Sequence, residues 1–114
     1  MLTIYHNPRC SKSRNTLQLI EAAGITPEVV LYLENPLNAE EIGSLLTKLG
    51  IFARDLLRKG ESDYKGNNLK NPELSEQQLI DFMAQYPKLI ERPIVVKGDQ
   101  AVLGRPPENV NRFL

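Results

Sequence analysis

A single cysteine, Cys10, lies in the polar run HNPRCSKSR near the start of the chain. A thiol reacts as its thiolate, and a free cysteine with a pKa of about 8.5 is mostly protonated at neutral pH unless positive potential favours the anion. Three cations surround it in sequence, Arg9, Lys12 and Arg14, and His6 lies four residues upstream. Because charged and hydroxyl residues flank this thiol on both sides, the pattern predicts a reactive nucleophile rather than a buried structural cysteine.

The residues after Cys10 predict a helix whose N-terminus faces the sulfur. If the helix begins near Ser11, its unpaired N–H groups and its dipole favour a thiolate, and the same groups bind an oxyanion. The two serines, Ser11 and Ser13, are expected to cap the helix, to donate a hydrogen bond to the thiolate, or to do both. The neighbouring cations are expected to act as a local positive field rather than as ligands.

Composition limits the partners and the compartment. The 114 residues include 14 basic and 14 acidic side chains, without the basic excess that is typical of proteins that bind nucleic acid or anionic membranes. One cysteine excludes an internal disulfide and a dithiol motif, and it gives no metal-site spacing. The first residues lack the basic flank and apolar core that are typical of a signal peptide, and no apolar run approaches membrane-spanning length. A cytoplasmic protein without a metal is therefore expected.

The first third of the chain has a βαβ pattern. Residues 2–5 predict a strand, residues 13–23 a helix that stops at Gly24, and residues 28–33 a second strand. A right-handed crossover makes the two strands parallel. Cys10 then lies at the junction between the first strand and the helix.

The middle of the chain predicts helices. Two have apolar stripes and capping boxes, and they end at Gly50 and before Pro87. Their capping pairs are Asn38 with Glu41, and Ser75 with Gln78. Residues 52–58 predict a short helix, and the polar, glycine-containing stretch 60–72 predicts a loop and candidate mobile lid.

The last third predicts a ββα unit. Strands at 94–96 and 101–103 flank a Gly98-Asp99 hairpin turn, and Pro106-Pro107 opens a final short helix. The order βαβ, helices, ββα predicts a single α/β domain over residues 1–114, with a thioredoxin-like fold and a helical insertion between its two halves.

Five ordered segments resemble a known family. They are HNPRCSKSRNTL from His6, YLENP from Tyr32, LLRK from Leu56, ERPIVV from Glu91 and, more weakly, GRP from Gly104. Together they make the chain similar to the glutaredoxin-dependent arsenate reductases of the ArsC family along essentially its whole length.

The resemblance implies a catalytic cysteine and an arginine-lined oxyanion site. Cys10 matches the catalytic cysteine, and the three arginines of the oxyanion site are matched by Arg58, Arg92 and Arg105. Arginine suits this role because its planar, permanently charged fork of donors fits the oxygens of a tetrahedral anion. The resemblance also implies a cis bond between Arg92 and Pro93, directly before the third strand.

Two further residues carry implied supporting roles. His6 matches a histidine associated with lowering the thiol's pKa, and Ser13 matches a hydroxyl residue close to the sulfur. The implied reaction begins when the Cys10 thiolate attacks bound arsenate. Since the chain has no second cysteine, an external thiol resolves the adduct. The resemblance implies glutathione as co-substrate, glutaredoxin as partner and no tightly bound cofactor.

Two alternatives remain on the same scaffold. Ser11 and Lys12 add bulk and charge where many arsenate reductases have small residues, which leaves open a glutathione-dependent reductase of mixed disulfides. The second alternative is an Spx-type regulator that binds RNA polymerase. Those regulators commonly carry a CxxC switch, whereas this chain has Ser13 at the second position.

Overall fold

The computed structural model describes residues 1–114 and has the predicted α/β order of βαβ, helices and ββ with a terminal helix. The strands are β1 Leu2–Tyr5, β2 Glu28–Val30, β3 Ile94–Lys97 and β4 Gln100–Leu103. The α-helices are α1 Ser11–Ala22, α2 Ala39–Leu49, α3 Ala53–Leu56, α4 Ser62–Gly66 and α5 Glu76–Gln85. Two 3-10 helices span Pro87–Leu89 and Pro107–Phe113.

The chain divides into two compact units. The first contains Met1–Asn35 and Arg92–Leu114, and the second contains Pro36–Glu91. The second unit corresponds to the predicted helical insertion, and the first unit carries all four strands.

The first unit is built on one mixed sheet with the strand order β2-β1-β3-β4. β1 runs parallel to β2 as predicted, and β3 is antiparallel to both β1 and β4. Tyr5 pairs with Ile94, and Ile94 pairs with Leu103. The end of β1, the start of β3 and the end of β4 therefore lie at the same end of the sheet.

The core of the first unit lies where α1 and the terminal 3-10 helix pack together and the sheet contributes apolar side chains. Its fully buried members include Ile4, Ile20, Val95 and Val110. The alternating burial along β1 explains the strand, since Leu2 and Ile4 face the core while the intervening residues are partly exposed.

The predicted boundaries of the first helix and second strand differ from those observed. Helix α1 begins at Ser11, the start considered from the position of Cys10 and two residues before the start of the predicted range 13–23, and Gly24 follows it with a φ of +78°. Strand β2 ends at Val30 because the Leu31 carbonyl accepts hydrogen bonds from two following amides, which turns the chain away from the sheet.

The second unit confirms the two capping-box helices. Asn38 and Ser75 each accept a hydrogen bond from the backbone of the third helical residue, as predicted. Gly50 ends α2 in the left-handed conformation, with a φ of +70° that favours glycine. Helices α2 and α5 pack together, and Leu46 and Met83 are buried.

The prediction of a loop throughout residues 60–72 is wrong, because Ser62–Gly66 forms α4. None of the five helical residues is buried, so the helix has no apolar stripe that periodicity can detect. A hydrogen bond from the chain that follows α4 fixes the position of the helix: the amide of the fully buried Leu69 donates to the Tyr64 carbonyl at 3.0 Å. The preceding helix α3 is also shorter than the predicted 52–58.

None of these helices combines the length and the apolar character that crossing a bilayer requires.

Candidate active site

Cys10 is the N-cap residue of α1, directly after the loop that leaves β1. Its amide donates to the Asn7 carbonyl at 3.0 Å, and its carbonyl accepts from the Arg14 amide at 3.0 Å. The side chain is about 9% exposed and makes no capping hydrogen bond. The thiol therefore sits at the positive end of a twelve-residue helix.

Ser13 cross-links this loop to α1. Its hydroxyl oxygen accepts a hydrogen bond from the Asn7 amide at 3.0 Å and lies 2.7 Å from His6 Nδ1. Ser13 is fully buried and His6 is nearly so. Since Cys10 occupies the N-cap position, the alternative in which a serine caps α1 is wrong.

His6 is held in an environment that disfavours its charged form. Burial lowers the pKa of His6 below its usual 6.5, the positive charge of Arg14 lowers it further, and Glu21 partly opposes both effects. At neutral pH the imidazole is therefore uncharged. Its contribution to the loop is a hydrogen bond to Ser13 rather than positive charge.

The cations beside Cys10 differ in their contacts. Arg14 donates from Nη1 to the Pro8 carbonyl at 3.0 Å, so it braces the loop. The Arg9 amide donates to Asn7 Oδ1 at 3.0 Å, while its side chain is exposed, as is that of Lys12. The loop before Cys10 is thus closed by its own hydrogen bonds.

Arg92 and Arg105 lie at the same end of the sheet as this loop, because one precedes β3 and the other follows β4. Nη1 of Arg105 donates to the Arg92 carbonyl at 3.2 Å, and the Gly104 amide donates to the Pro93 carbonyl at 2.9 Å. The peptide bond between Arg92 and Pro93 is cis, as expected. The bond between Arg105 and Pro106 is also cis, which the sequence analysis did not anticipate.

Gly104 allows a close approach between α1 and these two turns. A Cβ on Gly104 would lie 2.5 Å from Thr16 Oγ1 and 2.7 Å from Pro93 Cγ. Thr16 is fully buried on α1, six residues after Cys10. In the sequence, Gly104 is part of the GRP motif, and the one further signal is a glycine at the end of a predicted strand, directly before an Arg-Pro pair.

Arg58 lies in the second unit, where two carboxylates hold its guanidinium. Nη1 is 3.2 Å from Glu61 and Nε is 3.7 Å from Glu91. Its amide donates to the Leu89 carbonyl at 2.8 Å. The sequence did not reveal these acidic partners.

The first unit thus carries five of the six predicted site residues around one end of its sheet: His6, Cys10, Ser13, Arg92 and Arg105. The arrangement combines a thiol at a helix N-terminus with arginine donors, which is suited to nucleophilic attack on a bound anion. The catalytic and binding roles of these residues stay predictions.

A family model, protein sequences and solved structures all show similarity between this chain and the ArsC family. A sequence model of the ArsC family matches residues 5–113. An arsenate reductase from Haemophilus influenzae is 47% identical over 112 residues, with 97% of each chain covered. The uncharacterized protein YfgD of Escherichia coli K12 is 56% identical over 108 residues, which cover 94% of this chain and 91% of that one. The solved structure of an arsenate reductase from Vibrio cholerae superposes with a TM-score of 0.97 at 50% identity, covering 99% of this chain and 97% of the other.

Proposed function

The chain belongs to the ArsC family, and from this premise we propose that it reduces arsenate to arsenite with Cys10 as the nucleophile. The observation that carries the proposal is the convergence of Cys10, Arg92 and Arg105 at one end of a sheet. A reactive thiol alone supports many reactions. A thiol accompanied by two arginines favours an anionic electrophile.

The two arginines bind the oxygens of arsenate. Their guanidinium groups reduce the repulsion between a dianionic substrate and an anionic sulfur, and they hold the arsenic in reach of attack. The amides at the N-terminus of α1 add neutral donors to the same anion. Arg58 is proposed as a third ligand on the family resemblance alone.

The first chemical step forms a bond between Cys10 Sγ and arsenic. An arsenic–oxygen bond breaks in the same exchange, and that oxygen leaves as water after taking up protons. Arsenic stays in the As(V) state, so this step requires no electrons. The product is a covalent thiol–arsenate adduct on Cys10.

Reduction then requires thiols from outside the chain, because Cys10 is its only cysteine. We propose glutathione as the first of these thiols and glutaredoxin as the protein that completes the exchange. Glutathione binds to the arsenic of the adduct and displaces a second oxygen as water, and a glutaredoxin thiol then attacks the glutathione sulfur. These two sulfurs lose one electron each and become a mixed disulfide, while arsenic gains two electrons. Water then breaks the remaining bond between As(III) and Cys10 Sγ, which releases arsenite and the free thiol of Cys10.

We propose that the pair formed by His6 and Ser13 supplies a hydrogen-bond donor to the Cys10 sulfur during the reaction. When the neutral imidazole donates from Nδ1, Ser13 Oγ accepts from both His6 and the Asn7 amide, and its own O–H is available to the sulfur. This mechanism does not require a charged histidine.

The dependence on glutathione also suits a compartment that keeps thiols reduced, so we propose that the protein acts in the cytoplasm.

The reductant is tested by supplying two thiol systems to the same protein. With arsenate present, we expect turnover with glutathione, glutaredoxin and glutathione reductase, and little turnover with thioredoxin and thioredoxin reductase. NADPH consumption measures both. Equal rates with the two systems would contradict the proposed glutaredoxin partnership. If arsenate gives no turnover but glutathionylated peptides do, the protein is a thiol reductase instead.

A further inference from the structure

Asn109 binds both sides of the turn that carries Arg105. It lies in the terminal 3-10 helix, and its side-chain Nδ2 donates to the Leu103 carbonyl at 3.1 Å and to the Arg105 carbonyl at 3.2 Å. A carboxamide nitrogen carries two hydrogens, so one side chain satisfies both acceptors. The Asn109 amide adds a third bond, to the Pro106 carbonyl at 3.0 Å.

Hydrogen bonds also connect the turn that carries Arg105 to the residues directly before β3. Arg105 donates from Nη1 to the Arg92 carbonyl at 3.2 Å, and the Gly104 amide donates to the Pro93 carbonyl at 2.9 Å. The hydrogen bonds therefore run from Asn109 through the Arg105 backbone and side chain to Arg92. The positions of the two arginines are coupled to a residue that follows both of them in the chain.

We propose that Asn109 is a positioning residue for the oxyanion site, and the inference rests on the function proposed above. It fixes the backbone from which the exposed Arg105 side chain extends. A long side chain on a mobile turn loses more conformational entropy when it binds an anion than one on a fixed turn. Asn109 therefore raises the affinity for the oxyanion without contacting it.

The variant Asn109→Asp tests this role because aspartate has the same shape and lacks the two N–H donors. Its carboxylate also faces two carbonyl oxygens in place of donating to them. Asn111→Asp is the matched control, since it lies two residues away in the same 3-10 helix, is exposed and introduces the same charge. The pair Asn109→Ala and Asn111→Ala repeats the comparison without a charge change.

The measurement is the protection of Cys10 from iodoacetamide by inorganic arsenate. We expect Asn109→Asp to require about fivefold more arsenate for half-protection than Asn111→Asp, as the loss of two weak hydrogen bonds suggests. The alkylation rate without arsenate should be equal in the two variants, since the thiol loop is untouched. A general loss of structure would change that rate and the thermal midpoint as well.

The outcomes separate this inference from the proposed function. If arsenate protects the wild type, and both Asn109 variants are protected at the concentrations that protect their Asn111 controls, Asn109 has no positioning role. If an Asn109 variant shows a changed alkylation rate without arsenate, its role is structural and the proposal is also overturned. If arsenate does not protect even the wild type, the proposed oxyanion site itself is contradicted, and the positioning role with it.

Discussion

At the residue scale, the proposed oxyanion site depends on a property of arginine that lysine lacks. Arg92 and Arg105 offer planar, delocalised donors that bind two oxygens at once, whereas lysine offers a single charged point. The two side chains extend from adjacent turns linked by the hydrogen bond from Arg105 to the Arg92 carbonyl. In the proposed site, the affinity for arsenate therefore depends on the geometry of the guanidinium groups as well as on their charge.

Arg92→Lys and Arg105→Lys should each raise the KM for arsenate about tenfold, the cost of losing one charge-assisted hydrogen bond. Steady-state kinetics at saturating glutathione measures this effect. Arg112→Lys is the control, because its guanidinium lies over the Phe113 ring, with Cζ 5.4 Å from the ring centroid. A KM in either site variant equal to that of the control would argue against bidentate binding.

His6 makes a prediction about stability rather than rate. Its pKa is lowered in the folded protein, so between that value and 6.5 the unfolded chain binds more protons than the folded one. The free energy of unfolding therefore falls as the pH drops below 6.5, and this loss is absent above it. His6→Asn keeps a polar group near the Nδ1 position and removes the titration.

Urea unfolding at pH 7 and pH 5 measures this difference. The wild type should lose more stability between the two pH values than His6→Asn does, because only the wild type has the His6 titration. The carboxylates that also titrate in this range are common to both proteins, so their effect cancels in the comparison. An equal loss in the two proteins would mean that His6 is not held in its neutral form by the fold.

At the element scale, α1 packs against the turns of β3 and β4 through Gly104. A methyl group there would overlap both Thr16 Oγ1 and Pro93 Cγ, at 2.5 and 2.7 Å. Gly104→Ala should therefore destabilise the fold by about 1–3 kcal/mol, as overpacking of a tight contact does. Thr16→Ala in the same chain should recover part of this loss, because Thr16 supplies two of the three nearest atoms.

Gly43→Ala provides the control for that experiment. Gly43 is within α2, and a Cβ there would meet no atom within 4 Å. It should leave stability unchanged or raise it by about 0.5–1 kcal/mol, the helix preference of alanine over glycine. Thermal or urea unfolding compares the variants. If Gly104→Ala is as stable as the wild type, the space around Gly104 accommodates a methyl group, and the inferred close contact with α1 is contradicted.

The elements that sequence analysis predicted well are those specified by neighbouring residues. Capping boxes at Asn38 and Ser75 each lie within four residues, and the structure has both. Helix α4 was not predicted because none of its five residues is buried, so it has no apolar periodicity, and contacts outside the helix fix its position. Strand β2 ends early because a turn competes for its backbone groups, which a run of apolar residues does not reveal.

In the candidate site, too, the features specified by neighbouring residues were predictable and those set by the fold were not. The position of Cys10 at the N-terminus of α1 was predictable because the residues that form the helix follow it directly in sequence. The bond between His6 and Ser13 spans seven positions and depends on how the loop closes. Asn109 and the partners of Arg58 gave no signal, since their contacts depend on which backbone carbonyls and carboxylates the fold brings near them.

At the scale of the whole molecule, the charges balance while the chemistry is local. Fourteen basic and fourteen acidic residues leave no net charge to attract an anion over long distances. In the proposed function, recognition of the anion therefore comes from the cations and amides at one end of the sheet. This organisation fits a small anionic substrate better than an extended nucleic acid.

The single cysteine determines how the reaction ends. The chain cannot form an internal disulfide, so in the proposed mechanism a thiol on another molecule resolves the adduct on Cys10. Family membership and the position of Cys10 at the N-terminus of α1 both support the first half of the reaction. The second half depends on glutathione and glutaredoxin, which belong to the proposal.

Arsenate-dependent NADPH oxidation tests the central claim most directly, with glutathione, glutathione reductase and glutaredoxin supplied to wild type and Cys10→Ser. The account predicts turnover by the wild type and none by the variant, because a serine hydroxyl is not ionised at neutral pH and is a far weaker nucleophile. Circular dichroism verifies that the variant is folded. Near-normal turnover by Cys10→Ser, or none by a wild type whose thiol still reacts with glutathione disulfide, would contradict the claim that Cys10 attacks arsenate.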